Sequence, residues 1–170
     1  MASNQKIAVY AGTFDPITLG HLDIVERAAR VFDKVYIAVA TSTHKQALFS
    51  SDQRVSMIKD ALSNLELKDL SAEVKVDSFD GLLVEYVRSV GGNVIVRGLR
   101  AVADYEYEYR IALVNQKLAP EIETVSFMAS GNNSFINSSI VREVAKYGGD
   151  VSSLVPTNVS ERLKDFFSSK

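Results

Sequence analysis

The sequence predicts one α/β domain with a Rossmann-like, doubly wound parallel sheet and helices on both faces. Three observations lead there. Five short runs rich in β-branched and apolar residues alternate with amphipathic helical patterns, which is the order of parallel-strand units. Right-handed crossovers then wind such units about the first strand. No linker, internal repeat or low-complexity tract interrupts the 170 residues, a length that buries roughly 70% of its unfolded surface without help from disulfides or metal.

The elements follow in order. "KIAVYAG" (Lys6–Gly12) reads as a buried strand, and "GHLDIVERAARVF" (Gly20–Phe32) as the first helix. "KVYIAVAT" (Lys34–Thr41) is the second strand and "SDQRVSMIKDALSN" (Ser51–Asn64) the second helix. "AEVKVDS" (Ala72–Ser78), "GLLVEYVRSVG" (Gly81–Gly91) and "NVIVRG" (Asn93–Gly98) continue the alternation. The helix "DYEYEYRIALVNQKL" (Asp104–Leu118) leads to a fifth strand, "ETVSFM" (Glu123–Met128). Helices over Asn137–Tyr147 and about Val159–Phe167 complete the chain. Residues 151–170 are expected to form a peripheral turn and helix of the same domain.

Composition narrows the class. The chain is 46% hydrophobic and 24% charged, ordinary for a globular domain. It has no cysteine, which removes disulfides and thiol catalysis and argues against a zinc site. The net charge of −2 argues against a broad grip on nucleic acid. No apolar run spans a membrane, and "MASNQK" has no signal-peptide core, so the expected location is the cytoplasm.

Ligands of doubly wound sheets bind beyond the carboxyl ends of the strands, at the switch point. Residues just after strands are therefore the candidates for function. The loop "AGTFDPITLGH" (Ala11–His21) leaves the first strand with two glycines and a proline and opens a helix with a histidine. The unpaired N–H groups and dipole of a helix start attract anions. Neither G-x-G-x-x-G nor G-x-x-x-x-G-K-[ST] is present, which argues against a standard dehydrogenase or P-loop enzyme. At the positive end of the helix His21 favours the neutral imidazole, as a donor to an arriving phosphate or simply as a cap.

Further candidates lie beyond the other strands. Lys45 in "TSTHKQALF" is either a phosphate bridge or an ordinary loop lysine. Arg97 and Arg100 flank a short turn and suit phosphates; salt bridges to the acidic "DYEYEY" run would use them equally well. Asp104, Glu108, Ile111 and Asn115 share one helix stripe, polar and either functional or solvated. Tyr107, Ile111, Val114 and Leu118 form an apolar stripe expected in the core. "NSS" (Asn137–Ser139) supplies an N-cap, and two hydroxyls beside helix amides also make an anion site.

"GTFDPITLGH" contains Thr18-Leu19-Gly20-His21, and it resembles the [HT]-x-G-H signature of the nucleotidyltransferase superfamily. "RGLRAVADYEYEYRIALVNQKLAPEIETVSFM", "FDGLL" (Phe79–Leu83) and "SFINSSIVREVA" (Ser134–Ala145) are similar to the phosphopantetheine adenylyltransferase family within it. The resemblance runs from about Lys6 to Pro156. It implies transfer of the adenylyl group of ATP, with Mg²⁺, to 4′-phosphopantetheine, giving dephospho-coenzyme A and pyrophosphate. The phosphate oxygen attacks in line, so no side-chain base is needed; alignment and electrostatics do the work.

The resemblance also implies roles. His21, Lys45 and Arg100 would act in catalysis, with His21 donating to the α-phosphate and Lys45 bridging the two phosphates. Thr13 and Phe14 would lie against both substrates. Gly98, Leu99, Arg100 and Glu108 would line the ATP side, together with the loop Asn133, Ser134, Phe135, Ile136, Asn137, Ser138 and Ser139. Arg97 would hold the phosphate of phosphopantetheine, and Lys45, Leu82, Leu83 and Asn115 its remainder; Leu82 and Leu83 also suit core packing. His44 has no implied role. No protein metal ligand is implied. Coenzyme A is a candidate feedback ligand, and a homohexamer is expected. Three positions depart from the family: Ala11 for a usual proline, Asn133 for a common aromatic residue, and Asn137 for a usual serine. Two other readings remain: a nucleotidyltransferase with another acceptor such as nicotinamide mononucleotide, and a non-catalytic nucleotide or coenzyme A sensor. A class I aminoacyl-tRNA synthetase would need a longer and more basic chain.

Overall fold

The computed structural model describes residues 5–42, 47–65 and 72–168. Five parallel strands form one sheet in the order β3-β2-β1-β4-β5. They are β1 (Ile7–Gly12), β2 (Lys34–Ala40), β3 (Glu73–Phe79), β4 (Val94–Leu99) and β5 (Glu123–Met128). The intervening helices are α1 (Leu19–Ala29), α2 (Ser51–Ser63), α3 (Leu83–Ser89) and α4 (Val102–Leu118), followed by α5 (Ser138–Lys146) and α6 (Thr157–Ser168). The winding reverses between β1 and β4, and this is the switch point.

Alternation along β1 divides the core. Ala8 and Tyr10 face the larger cluster, with Ile37 and Val39 of β2 and Val25 of α1. Val9 and Ala11 face the smaller one, with Val84 and Val87 of α3. The helices start where their caps allow. Thr18 caps α1, Ser50 caps α2 with Gln53 reaching back, and the Asn137 Oδ1 accepts from the Ile140 N–H at 2.8 Å to start α5.

Two expectations need correction. The segment expected to be peripheral joins the main core: Val151, Val155, Val159 and Leu163 are all buried there, and Phe166 packs edge-on to Phe49 at 5.6 Å. The other concerns α4. Its expected core stripe faces outward, with Tyr107 63%, Val114 54% and Leu118 49% exposed. The polar stripe of Asp104, Glu108 and Asn115 is the half-buried one. Charge pairing explains the reversal: Arg97 draws in Glu108 and Arg100 draws in Asp104, and these bonds outrank the weak amphipathicity of the helix.

Candidate active site

A cavity of about 540 Å³ opens at the switch point, beyond the carboxyl ends of β1 and β4. That volume suits a small-molecule substrate. Its floor is the loop after β1. Phe14 sits in left-handed backbone (φ +48°), a strained conformation for a residue with a side chain. The ring folds back over the strand end, where a Cβ on residue 12 would meet it at 3.0 Å. Gly12 is therefore required by the close approach of Phe14. The same ring meets the His21 imidazole edge-on at 5.1 Å and Tyr10 at 5.2 Å. Gly20 serves another approach: a Cβ there would stand 3.3 Å from the Asn133 carbonyl oxygen.

His21 occupies the third helical position of α1 and completes a capping box with Thr18. Its Nδ1 accepts from the Thr18 backbone N–H at 3.1 Å. A backbone N–H can only donate, so Nδ1 carries no proton and Nε2 does in the neutral ring. Burial, and after it the Arg100 charge, lowers the imidazole pKa from 6.5 to about 4. The side chain is thus a neutral Nε2–H donor at physiological pH.

Arg97 forms a fork on Glu108, at 2.5 Å (Nε–Oε2) and 2.7 Å (Nη2–Oε1), and its Nη1 donates to the Ala11 carbonyl at 2.9 Å. Burial works against its charge, and the Glu108 carboxylate more than offsets this, so its pKa lies above the ordinary value. Three of its five N–H donors are used, which leaves two for a ligand. Arg100 pairs with Asp104 at 3.1 Å and reaches the Ile136 carbonyl at 3.3 Å. Both arginines therefore make the salt bridges that the acidic run offers, and both still line the cavity.

The cavity brings together Thr13, Phe14, His21, Arg97, Gly98, Arg100, Glu108, Ile136, Asn137, Ser138 and Ser139. Leu82, Leu83, Leu99, Asn115, Asn133, Ser134 and Phe135 are outside its lining. Leu82 is 58% exposed before α3, and Leu83 packs on the smaller core cluster. Asn133 bonds Ser130, Ser134 donates to the Gly131 carbonyl, and Phe135 is 62% exposed. Lys45 and His44 lie outside the described residues. The Ser138 hydroxyl donates its single proton to the Pro16 carbonyl at 2.8 Å.

Three further charged residues build the site. Asp15 is 2% exposed and accepts from the Leu48 and Phe49 amides at 2.7 and 3.0 Å. It also accepts from Arg142 at 2.9 Å, and Arg142 lines the cavity as its third arginine. Arg54, also 2% exposed, donates to the carbonyls of Thr13 (2.6 Å), Ala40 (3.0 Å) and Phe49 (3.1 Å). Sequence reasoning passed over all three. A signal existed for Arg142 alone, because it stands four residues after Ser138 and so shares its helix face.

Residues 9–144 match the family model described as cytidylyltransferase-like. The chain is 51% identical to the phosphopantetheine adenylyltransferase of Desulforudis audaxviator, over 96% of each chain. It is 52% identical to that of Roseiflexus castenholzii, over 94% of this chain and 96% of the relative. The chain belongs to the phosphopantetheine adenylyltransferase family. Its fold is also that of the Plasmodium falciparum nicotinic acid mononucleotide adenylyltransferase complexed with NaAD, with TM-score 0.69 and 14% identity over 97% and 95% of the two chains. At that identity the likeness speaks for the fold alone.

Family membership makes the chain a nucleotidyltransferase, and the cavity has the matching character. Among the described residues it presents arginines, a neutral imidazole and helix starts, with no histidine–carboxylate pair to act as a base. Its two carboxylates, Asp15 and Glu108, are both held by arginines. Among the described residues no group of three or more His, Cys, Asp or Glu side chains is placed to hold a metal ion.

Proposed function

We propose that the chain transfers the adenylyl group of ATP to 4′-phosphopantetheine, releasing pyrophosphate and forming dephospho-coenzyme A. The observation that carries the chemistry is the donor set: an Nε2–H imidazole at a helix start, facing a cavity lined by Arg97, Arg100 and Arg142. The name of the half-identical relatives supports the acceptor. The acceptor phosphate is already a nucleophile, so the protein has to align two anions and stabilise charge that grows at the α-phosphorus. Arg97 holds the acceptor phosphate with its two free N–H groups, and His21 donates to the α-phosphate. Arg100 and the start of α5 take the remaining phosphates of ATP. Lys45 bridges acceptor and ATP. The new P–O bond forms as the bond to pyrophosphate breaks, with no covalent enzyme intermediate.

The described residues do not assemble a Mg²⁺ site of their own, because both of the carboxylates among them that line the cavity are held by arginines. On this reading Mg²⁺ arrives on the phosphates of ATP, as that ion commonly does. The outward apolar face of α4, together with Met128 at 68% exposure, supports a homo-oligomer, for which the family resemblance implies a hexamer. Among the described residues no helix is long and apolar enough to cross a membrane, and a cytoplasmic location accords with the reading.

The test is pyrophosphate release from ATP and Mg²⁺ with phosphopantetheine, and separately with nicotinamide mononucleotide. Release with phosphopantetheine alone is expected. Release only with nicotinamide mononucleotide, or binding of ATP without turnover, would overturn the assignment.

A further inference from the structure

The Tyr10 hydroxyl has no role in the mechanism above. Tyr10 lies on β1 opposite Val96 of β4, is 6% exposed, and lines the cavity. Its ring is fixed edge-on against Phe14 at 5.2 Å, so the phenol cannot swing away without disturbing the core. Among the described residues the hydroxyl makes no hydrogen bond. Asn158 Oδ1 and Ser160 Oγ are the buried unpartnered side-chain atoms among the described residues, and the Tyr10 hydroxyl is not one of them, so it opens onto the cavity, where a ligand can take the place of water. Gly98 leaves the hydroxyl uncapped: a Cβ there would stand 3.7 Å from it.

We infer that the Tyr10 hydroxyl is a substrate-binding donor, completing its hydrogen bonding on an anionic phosphate oxygen held between Arg97 and Arg100. The surroundings favour an anionic partner, since Arg97 and then Arg100 are the charges that act most strongly on the phenol, ahead of Glu108 and Asp23. Burial nonetheless raises the phenol pKa far above its usual value, so the group stays protonated and can only donate to an anion. The donor stands on β1 within reach of the same ligand as His21, whose ring centre is 6.5 Å from that of Tyr10. The inference rests on the adenylyltransferase reading for the identity of the anion, and two sources fit its chemistry: the phosphate of phosphopantetheine and the phosphates of ATP.

Tyr10→Phe removes one oxygen and keeps the ring contacts. The variant is expected to keep the parent Tm and to bind one of the two substrates about tenfold more weakly or worse, the usual loss for a hydrogen bond to a charged group. Calorimetric titration with phosphopantetheine and with ATP, each alone, tells the sources apart, and a loss for either supports the inference. A second readout uses tyrosine labelled with ¹³C at Cζ. One of the seven signals is assigned by its absence in the variant, and it should move when the substrate is added to the parent protein. Unchanged affinity for both substrates, or a Tyr10 signal that neither moves, overturns the inference. The parent's own pyrophosphate release is measured alongside, so failure of the underlying reaction is recognised separately.

Discussion

His21→Gln separates two roles that one residue fills. Glutamine at the third helical position is a normal partner in a capping box with threonine, so the variant should keep the start of α1 and the stability measured at pH 7. It exchanges the fixed Nε2–H of the imidazole for an amide N–H on a freer side chain, and losing one well-placed donor lowers kcat by up to about 10²–10³. The same substitution removes a titrating group. In the folded protein the imidazole pKa falls from 6.5 to about 4. Between those values the unfolded chain binds a proton that the native state refuses, so stability falls as pH drops from 6.5 towards 4. A shift of about 2.5 units at about 1.4 kcal/mol each is roughly 3 kcal/mol, present in full above pH 6.5. Urea unfolding of parent and variant at pH 7 and pH 4 should therefore show the parent losing up to about 3 kcal/mol more than the variant. Because the chain has only two histidines, NMR titration reads His21 directly. A His21 midpoint near 6.5, or an unaltered kcat in His21→Gln, would refute the argument.

Three other outcomes are expected. Arg97→Ala should weaken phosphopantetheine more than ATP in calorimetry and should lower stability by about 3 kcal/mol or more, because it strands the Glu108 carboxylate at 15% exposure; equal loss for both ligands would mean the arginine is wrongly assigned. Ser139→Ala should reduce ATP affinity more than Ser138→Ala, whose hydroxyl proton is already given to Pro16, while Asn137→Ser should bind ATP like the parent because serine caps a helix as well as asparagine. Leu113→Asp, at a position 47% exposed on the outward face of α4, should shift a hexamer to smaller species in light scattering without unfolding it, and a parent that is already a stable monomer would defeat the assembly proposal.

All five strands begin and end within about a residue of the expected runs; β1, β2 and β4 were legible because a parallel strand covered on both faces is nearly continuously apolar, and the edge strands β3 and β5 by their β-branched and alternating residues. The loop after β1 was legible as a cavity-lining loop because its glycines and helix start have specific physical uses. What periodicity missed was the facing of α4. Its hydrophobic pattern pointed Tyr107 and Val114 inward, and the decision instead came from Arg97 on β4 and Arg100 just after it, whose bonds to Glu108 and Asp104 hydrophobic periodicity does not register. Asp15 and Arg54 were missed for a similar reason. Arg54 bonds only backbone carbonyls and so leaves no complementary charge to find, and the side-chain partner of Asp15, Arg142, stands 127 residues away.

Those backbone bonds explain how loops can hold a catalytic geometry here. A reaction without a side-chain base depends on donors fixed before the substrate arrives. Three segments meet at the cavity: the loop after β1, the end of β2 with the start of α2, and the start of α5. Arg54 ties the first two by bonding Thr13, Ala40 and Phe49 carbonyls from one guanidinium. Asp15 ties them again through the Leu48 and Phe49 amides, and its bond to Arg142 brings in α5. Ser138 fastens the start of α5 to the loop once more through Pro16. A lysine at 54 is a point charge on a flexible stem and cannot match the planar fork that serves three carbonyls. The left-handed Phe14 is then held by a frame on both sides, and its ring passes that rigidity to the His21 imidazole, 5.1 Å away at the cavity.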